Sequence, residues 1–237
     1  MRTKSWTWET TISTSPPSSA SDEVARRLLA VRQRIERAGG DPLRVRVVGV
    51  TKGFGPEAVS AARQAGLTDL GENYAAELVE KAAADSDDAG VVWHFLGAVQ
   101  RNKVAQLAPL VGLWESVARA AEGERIARFA PGARVLVQIE TTGLASRNGC
   151  SPAAAGELVA RLGDLGLDVR GLMTVAAPGD DAAKEAFGTL GRLADRLGLE
   201  ERSMGMSDDL EAAVVAGSTM VRIGRALFGD RPPATAA

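Results

Sequence analysis

An α/β fold, specifically a single parallel (β/α)8 TIM barrel with an extra N-terminal helix, is what this sequence predicts. Three observations point to it. Eight short strand-like apolar segments alternate with helical patterns from residue 44 onward, the arrangement of a parallel sheet covered by crossover helices. Unusual polar residues and glycines gather just after those segments, at the end of such a barrel where ligands bind. No Gly-x-Gly-x-x-Gly follows the first segment, which makes a dinucleotide-binding sheet less attractive. A doubly wound open sheet is the competing topology, and periodicity alone does not separate the two.

Taken in order, residues 1–20 are rich in Ser and Thr with Pro16-Pro17 and lack the apolar core of a secretory signal, so they read as a disordered extension. Ser21-Asp22-Glu23 then caps a helix whose Val24, Leu28, Val31 and Ile35 fall on one face, and Gly39-Gly40-Asp41-Pro42 ends it. The strand-like segments are 44–50, 68–71, 91–96, 112–116, 134–140, 168–175, 202–204 and 220–223. The helical patterns between them are 56–65, 74–84, 100–110, 119–129, 152–162, 181–197 and 208–216, with a short one at 224–228 closing the series. Neither an internal repeat nor a linker follows residue 40, so residues 21–237 read as one barrel domain.

Composition narrows the function. The 237 residues carry 28 Lys+Arg against 30 Asp+Glu, a balance that argues against a dedicated nucleic-acid binder. No apolar run has the length to cross a bilayer, and the expected compartment is the cytoplasm. One cysteine, Cys150, allows neither an intramolecular disulfide nor a cysteine-built metal cluster. One histidine, His94, leaves almost no material for a histidine-based zinc site.

Lys52 closes the first strand and opens a glycine-rich turn in Val47-Val48-Gly49-Val50-Thr51-Lys52-Gly53-Phe54-Gly55-Pro56. A lysine leaving the core is partly stripped of water, which disfavours the ammonium. A neutral amine there can attack an aldehyde and hold it as a Schiff base. On the same rim lie Gly71-Glu72-Asn73-Tyr74, Glu115-Ser116, Thr141-Thr142-Gly143, Met173-Thr174, Ser203-Met204-Gly205-Met206-Ser207 and Arg222-Ile223-Gly224-Arg225. The last two resemble a phosphate cup, since the loops after strands seven and eight with a short extra helix are the recurrent anion site of such barrels. Gly224 lets backbone approach a ligand, and the N–H groups that open the short helix face an anion. Ser207 reads equally well as the cap of the helix beginning at Asp208.

Together these stretches spell a family. Val50-Thr51-Lys52, Gly71-Glu72-Asn73-Tyr74, Trp93-His94-Phe95-Leu96-Gly97 with Gln100-Arg101-Asn102-Lys103, Val137-Gln138-Ile139, Gly171-Leu172-Met173-Thr174, Ser203-Met204-Gly205-Met206-Ser207-Asp208-Asp209 and the run Gly217 to Gly224 occur in family order. The chain resembles the pyridoxal phosphate homeostasis proteins, single-domain relatives of the alanine racemase N-terminal barrel. The resemblance implies that Lys52 carries pyridoxal 5′-phosphate as an aldimine. It further implies that Ser207, Gly224 and Arg225 grip the phosphate, the latter two through backbone N–H. Arg222 would face the pyridine nitrogen, Asn73 would lie beside the ring, and His94 belongs to a third-strand motif that lines the pocket. For His94 a satisfied core histidine is the equal alternative, and Met204 and Met206 read as packing. Two positions depart from the family pattern: Phe54 stands where many relatives have a second lysine, and Arg147 where a lysine is common.

The implied function is a non-catalytic carrier that holds pyridoxal phosphate, with apo-enzymes that use it as candidate recipients and with no nucleic-acid or membrane partner. A pyridoxal-phosphate-dependent amino-acid racemase is the alternative. Racemisation needs an acid/base on each face of the substrate carbon; Lys52 supplies one. In alanine racemase the other is a tyrosine of an additional domain, which is not expected after Gly229-Asp230 here, and Tyr74 is the sole tyrosine. A barrel aldolase that takes a sugar phosphate through Lys52 is the third reading.

Overall fold

The computed structural model describes residues 19–84, 90–144 and 147–231. Eight strands close into a barrel in chain order: β1 (Arg46–Val50), β2 (Asp69–Glu72), β3 (Val92–Phe95), β4 (Val111–Val117), β5 (Arg134–Gln138), β6 (Asp168–Met173), β7 (Glu201–Ser203) and β8 (Met220–Ile223). Neighbours run parallel, and β1 pairs with β8 from Arg46↔Met220 to Gly49↔Ile223, which completes the ring. The closed barrel is therefore the outcome, and the open sheet is set aside.

Nine helices are seen among the described residues: α1 (Ala20–Arg37), α2 (Pro56–Gln64), α3 (Ala75–Ala84), α4 (Val104–Leu107), α5 (Ala120–Phe129), α6 (Ala155–Asp164), α7 (Asp180–Leu197), α8 (Leu210–Val215) and α9 (Arg225–Phe228). The cap of α1 lies two residues earlier than Ser21. Ser19 accepts from the Asp22 N–H while the Asp22 carboxylate accepts from the Ser19 N–H, a reciprocal box that satisfies two otherwise orphaned donors. Ser19 and Ala20 thus belong to the folded domain, and the rest of the expected extension lies outside the described residues. Val24, Leu28, Val31 and Ile35 on α1 are buried, each worth about 1.5–3 kcal/mol. Arg34 clasps Glu211 of α8 with two bonds of 2.6 and 2.7 Å, and Arg27 reaches the Leu227 carbonyl of α9. The extra helix thereby braces the seam where the first and last strands meet.

Side chains alternate along each strand. Outward residues build the large core beneath the helices, whereas Val48, Leu113, Leu136, Met173 and Met220 form a small apolar plug inside the barrel. On β1 the alternation that turns Val48 and Val50 inward sends Lys52 inward as well, and Thr51 outward. Two glycines let the rim close tightly. A Cβ at Gly97 would stand 1.9 Å from the Asn73 carbonyl oxygen. Gly205 has φ +97°, and its carbonyl accepts the Arg222 N–H at 2.9 Å. Among the described residues no helix is long and apolar enough to cross a membrane, and no group of three or more His, Cys, Asp or Glu is placed to hold a metal ion.

Candidate functional site

A cavity of about 400 Å³ opens at the carboxyl ends of the strands. Lys52, Asn73, Ser207, Arg222, Gly224 and Arg225 all line it, so the barrel gathers residues from four separate stretches of the chain. Leu96, Met173 and Val175 supply apolar wall, and Met206 joins it from the rim, while Met204 is buried in the core. Arg231, just beyond α9, also faces the cavity.

Lys52 is half-buried at the root of the cavity. Burial holds its amine below the usual lysine range; the cations Arg231 and Arg222 push the same way, against the opposing pull of Glu72 and Glu77. The result is an amine more often neutral than a surface lysine. The other nucleophile is disarmed, because burial pushes the Cys150 thiol up to about 11.

Across the cavity the β7–α8 loop meets the start of α9. Ser207 does not cap α8, whose cap position is Asp209. Its hydroxyl oxygen instead accepts the Ala226 N–H at 3.2 Å, tying the two loops together and keeping its own hydrogen for a ligand. Asp209 is drawn away to accept the Met206 N–H at 2.5 Å, and Asp208 is paired with Arg225. The two carboxylates are thus occupied within the cup. Gly224 has a negative φ of −104°, and a Cβ there would find the Val50 carbonyl oxygen at an ordinary 3.4 Å. Neither backbone angle nor crowding by protein demands glycine, and the space is left to the cavity.

The floor is Arg222, only 5 % exposed. It donates to Ser203 Oγ at 2.7 Å and to the Thr174 carbonyl at 2.8 Å. His94 is not on the cavity wall, which corrects one of the two readings of that residue. It lies in the barrel interior, fully buried, with Nδ1 2.5 Å from Glu115 and Nε2 3.0 Å from Asp69. Burial alone would lower its pKa, yet the bonds to the two carboxylates outweigh burial and raise it. Glu115 shows the mirror effect: burial pushes it up, and the His94 bond, helped by the Arg222 and Ser203 contacts, holds it below the usual carboxylate range.

A second buried group, which sequence reasoning missed, supports Lys52 from outside the sheet. Lys81 of α3 donates to the Thr51 carbonyl at 2.7 Å, to Glu72 at 2.5 Å and to Glu77 at 3.1 Å. Thr51 also donates to Glu72 at 2.6 Å, and the Gly53 N–H donates to Glu77 at 2.7 Å. The backbone on both sides of Lys52 is therefore pinned. Asn73 has a buried Oδ1 with no hydrogen-bond partner, an acceptor beside the cavity that a bound group could satisfy.

The sequence model of the alanine racemase N-terminal domain family matches residues 21–232. The pyridoxal phosphate homeostasis protein of Pseudomonas aeruginosa is 39% identical, covering 90% of this chain and 96% of its own. That of Escherichia coli K12 is 34% identical over 89% and 97% of the two chains. The solved structure of PipY from Synechococcus elongatus with PLP bound superposes with a TM-score of 0.74 at 29% identity, covering 87% of this chain and 100% of that one.

Proposed function

This chain belongs to the alanine racemase N-terminal domain family and, within it, to the pyridoxal phosphate homeostasis proteins, and from that membership we propose that it binds pyridoxal 5′-phosphate in the 400 Å³ cavity and serves as a carrier in the homeostasis of that compound. One observation carries the reading: an amine held below its usual pKa shares a single cavity with an anion cup and a buried arginine. When bound, pyridoxal phosphate supplies an aldehyde for the amine, an aromatic ring and a phosphate dianion. The residues present fit those three parts. Lys52 would be the attachment point; Ser207 with the backbone at Gly224 and Arg225 would receive the phosphate; Arg222 would face the ring nitrogen; the unpartnered Asn73 oxygen would satisfy a polar group of the ligand.

Arg222 also bears on catalysis. A guanidinium stays charged, so it does not hand the ring nitrogen the proton that a carboxylate would sustain, and the ring is left a weaker electron sink. Tyr74, the residue that racemisation would recruit opposite Lys52, is 61% exposed and not part of the cavity wall. The arginine weighs against transamination and decarboxylation, and the position of Tyr74 favours a carrier over a racemase. The test is twofold. Purified protein should absorb in the near-visible after mixing with pyridoxal phosphate and removal of the unbound compound, and borohydride followed by peptide mapping should place the phosphopyridoxyl group on Lys52. Absence of that chromophore would return the barrel to a sugar-phosphate reading. Alanine, serine and glutamate at high protein concentration should keep their chirality; racemisation that vanishes in Lys52→Ala would overturn the carrier.

A further inference from the structure

Inside the barrel the charged residues form one continuous series. Asp69 lines a small cavity of about 160 Å³ at the amino-terminal end of the strands, beside Arg46 and Arg32. From there the contacts run Asp69–His94 at 3.0 Å, His94–Glu115 at 2.5 Å, Glu115–Ser203 at 2.5 Å and Ser203–Arg222 at 2.7 Å. The last member is the floor of the ligand cavity. With His94 protonated, negative and positive groups alternate along the series, and Ser203 donates to one side while accepting from the other. We propose that His94, Glu115 and Ser203 are positioning residues that fix the Arg222 guanidinium in place at the floor of the cofactor cavity.

The physical need is plain. A buried guanidinium is costly unless a carboxylate and well-placed acceptors offset it. Glu115 is the main compensating carboxylate, with Asp209 adding to it, and the Ser203 hydroxyl links Glu115 to Arg222 by donating to the first and accepting from the second. The His94 bond in turn holds Glu115 below the usual carboxylate range, and the bonds to Asp69 and Glu115 hold His94 above the usual histidine range. Thr174 fixes a second Arg222 nitrogen through its carbonyl, and its own hydroxyl is anchored to the Ile139 carbonyl at 2.9 Å. Two of the five N–H groups of the guanidinium are thereby committed, and the plane of the fork is set for whatever occupies the cavity. None of the three positioning residues lines that cavity, so they act on a ligand only through Arg222.

This inference rests on the cofactor reading above, and its test separates the two. Wild-type protein is titrated with pyridoxal phosphate first; failure to bind there overturns the parent reading and this one with it. Given binding, Ser203→Ala and Glu115→Gln should each weaken affinity by about ten-fold or more, the effect of removing a hydrogen bond to a charged group. They should also move the near-visible band of the bound chromophore, because Arg222 faces its ring. Ser203→Thr, which restores the hydroxyl, should recover both. Unchanged affinity and an unchanged band in Ser203→Ala, with only a lowered melting temperature, would reduce the series to structural support and overturn the proposal. Should Glu115→Gln fail to fold, the uncharged Ser203→Ala and Ser203→Thr pair still decides.

Discussion

Lys52 and Lys81 meet the same stretch of backbone from opposite sides of the sheet and are put to opposite uses. Lys81 is only 2% exposed, yet three oxygens surround its ammonium, two of them from carboxylates. Lys52 is less buried, but among the described residues it has no hydrogen-bond acceptor, and its nearest influential charges include Arg231 and Arg222. Burial therefore does not by itself make a reactive amine. What the neighbours do decides: three oxygens hold Lys81 in fixed hydrogen bonds, whereas burial, helped by Arg231 and Arg222, holds the Lys52 amine below the usual lysine range with no acceptor to steady it.

The largest expected effect breaks the comparison at its reactive end. Lys52→Ala should abolish covalent retention of pyridoxal phosphate with the circular dichroism of the barrel unchanged, and mapping after borohydride should find no label on Lys81. Label on Lys81 in that variant would show that the two amines are interchangeable. Next comes Lys81→Met. It leaves the buried Glu72 without its cation, so urea unfolding should show a loss of about 3–5 kcal/mol, while any folded protein still takes the label on Lys52. Stability close to wild type would mean that the outer clamp is dispensable. The smallest effect sharpens the comparison. Arg231→Gln removes the cation that, after burial, does most to lower the Lys52 pKa, so the Lys52 pKa should rise and less amine should be neutral at pH 7. The pH profile of attachment should move toward higher pH, with slower attachment at neutrality; a shift toward lower pH would contradict the assigned sign.

Much of this was legible in the sequence. All eight strands lie where alternating apolar residues placed them, because short β-branched runs bounded by glycine and proline have few other options. The stretch 100–110 misled: only Val104–Leu107 forms a helix, since turns occupy 101–103 and the apolar pair Val104 and Leu107 anchors a single turn. Ser21 attracted the cap assignment because Asp22-Glu23 follows it, but the reciprocal partner of Asp22 is Ser19, three residues before. In the site, the strand-end rule found Lys52, Asn73 and Arg222. It grouped Glu72 with the same rim, whereas the alternation that turns Asn73 toward the cavity sends Glu72 out to Lys81. The partners of His94 come from β2 and β4, and Arg231 follows the last helix with no pattern around it. Such contacts depend on strand register and on where the chain leaves the barrel, and neither is written in local spacing.

The seam between β1 and β8 has a consequence for how the molecule is made. Lys52 follows the first strand to leave the ribosome, whereas Arg222, Gly224 and Arg225 come with the last. The two sides of the cavity come together only across the pairing of β1 with β8. A ligand grasped on both sides of the seam would act as a rivet across the last pairing to form. By mass action it would favour the shut ring in proportion to the logarithm of its concentration.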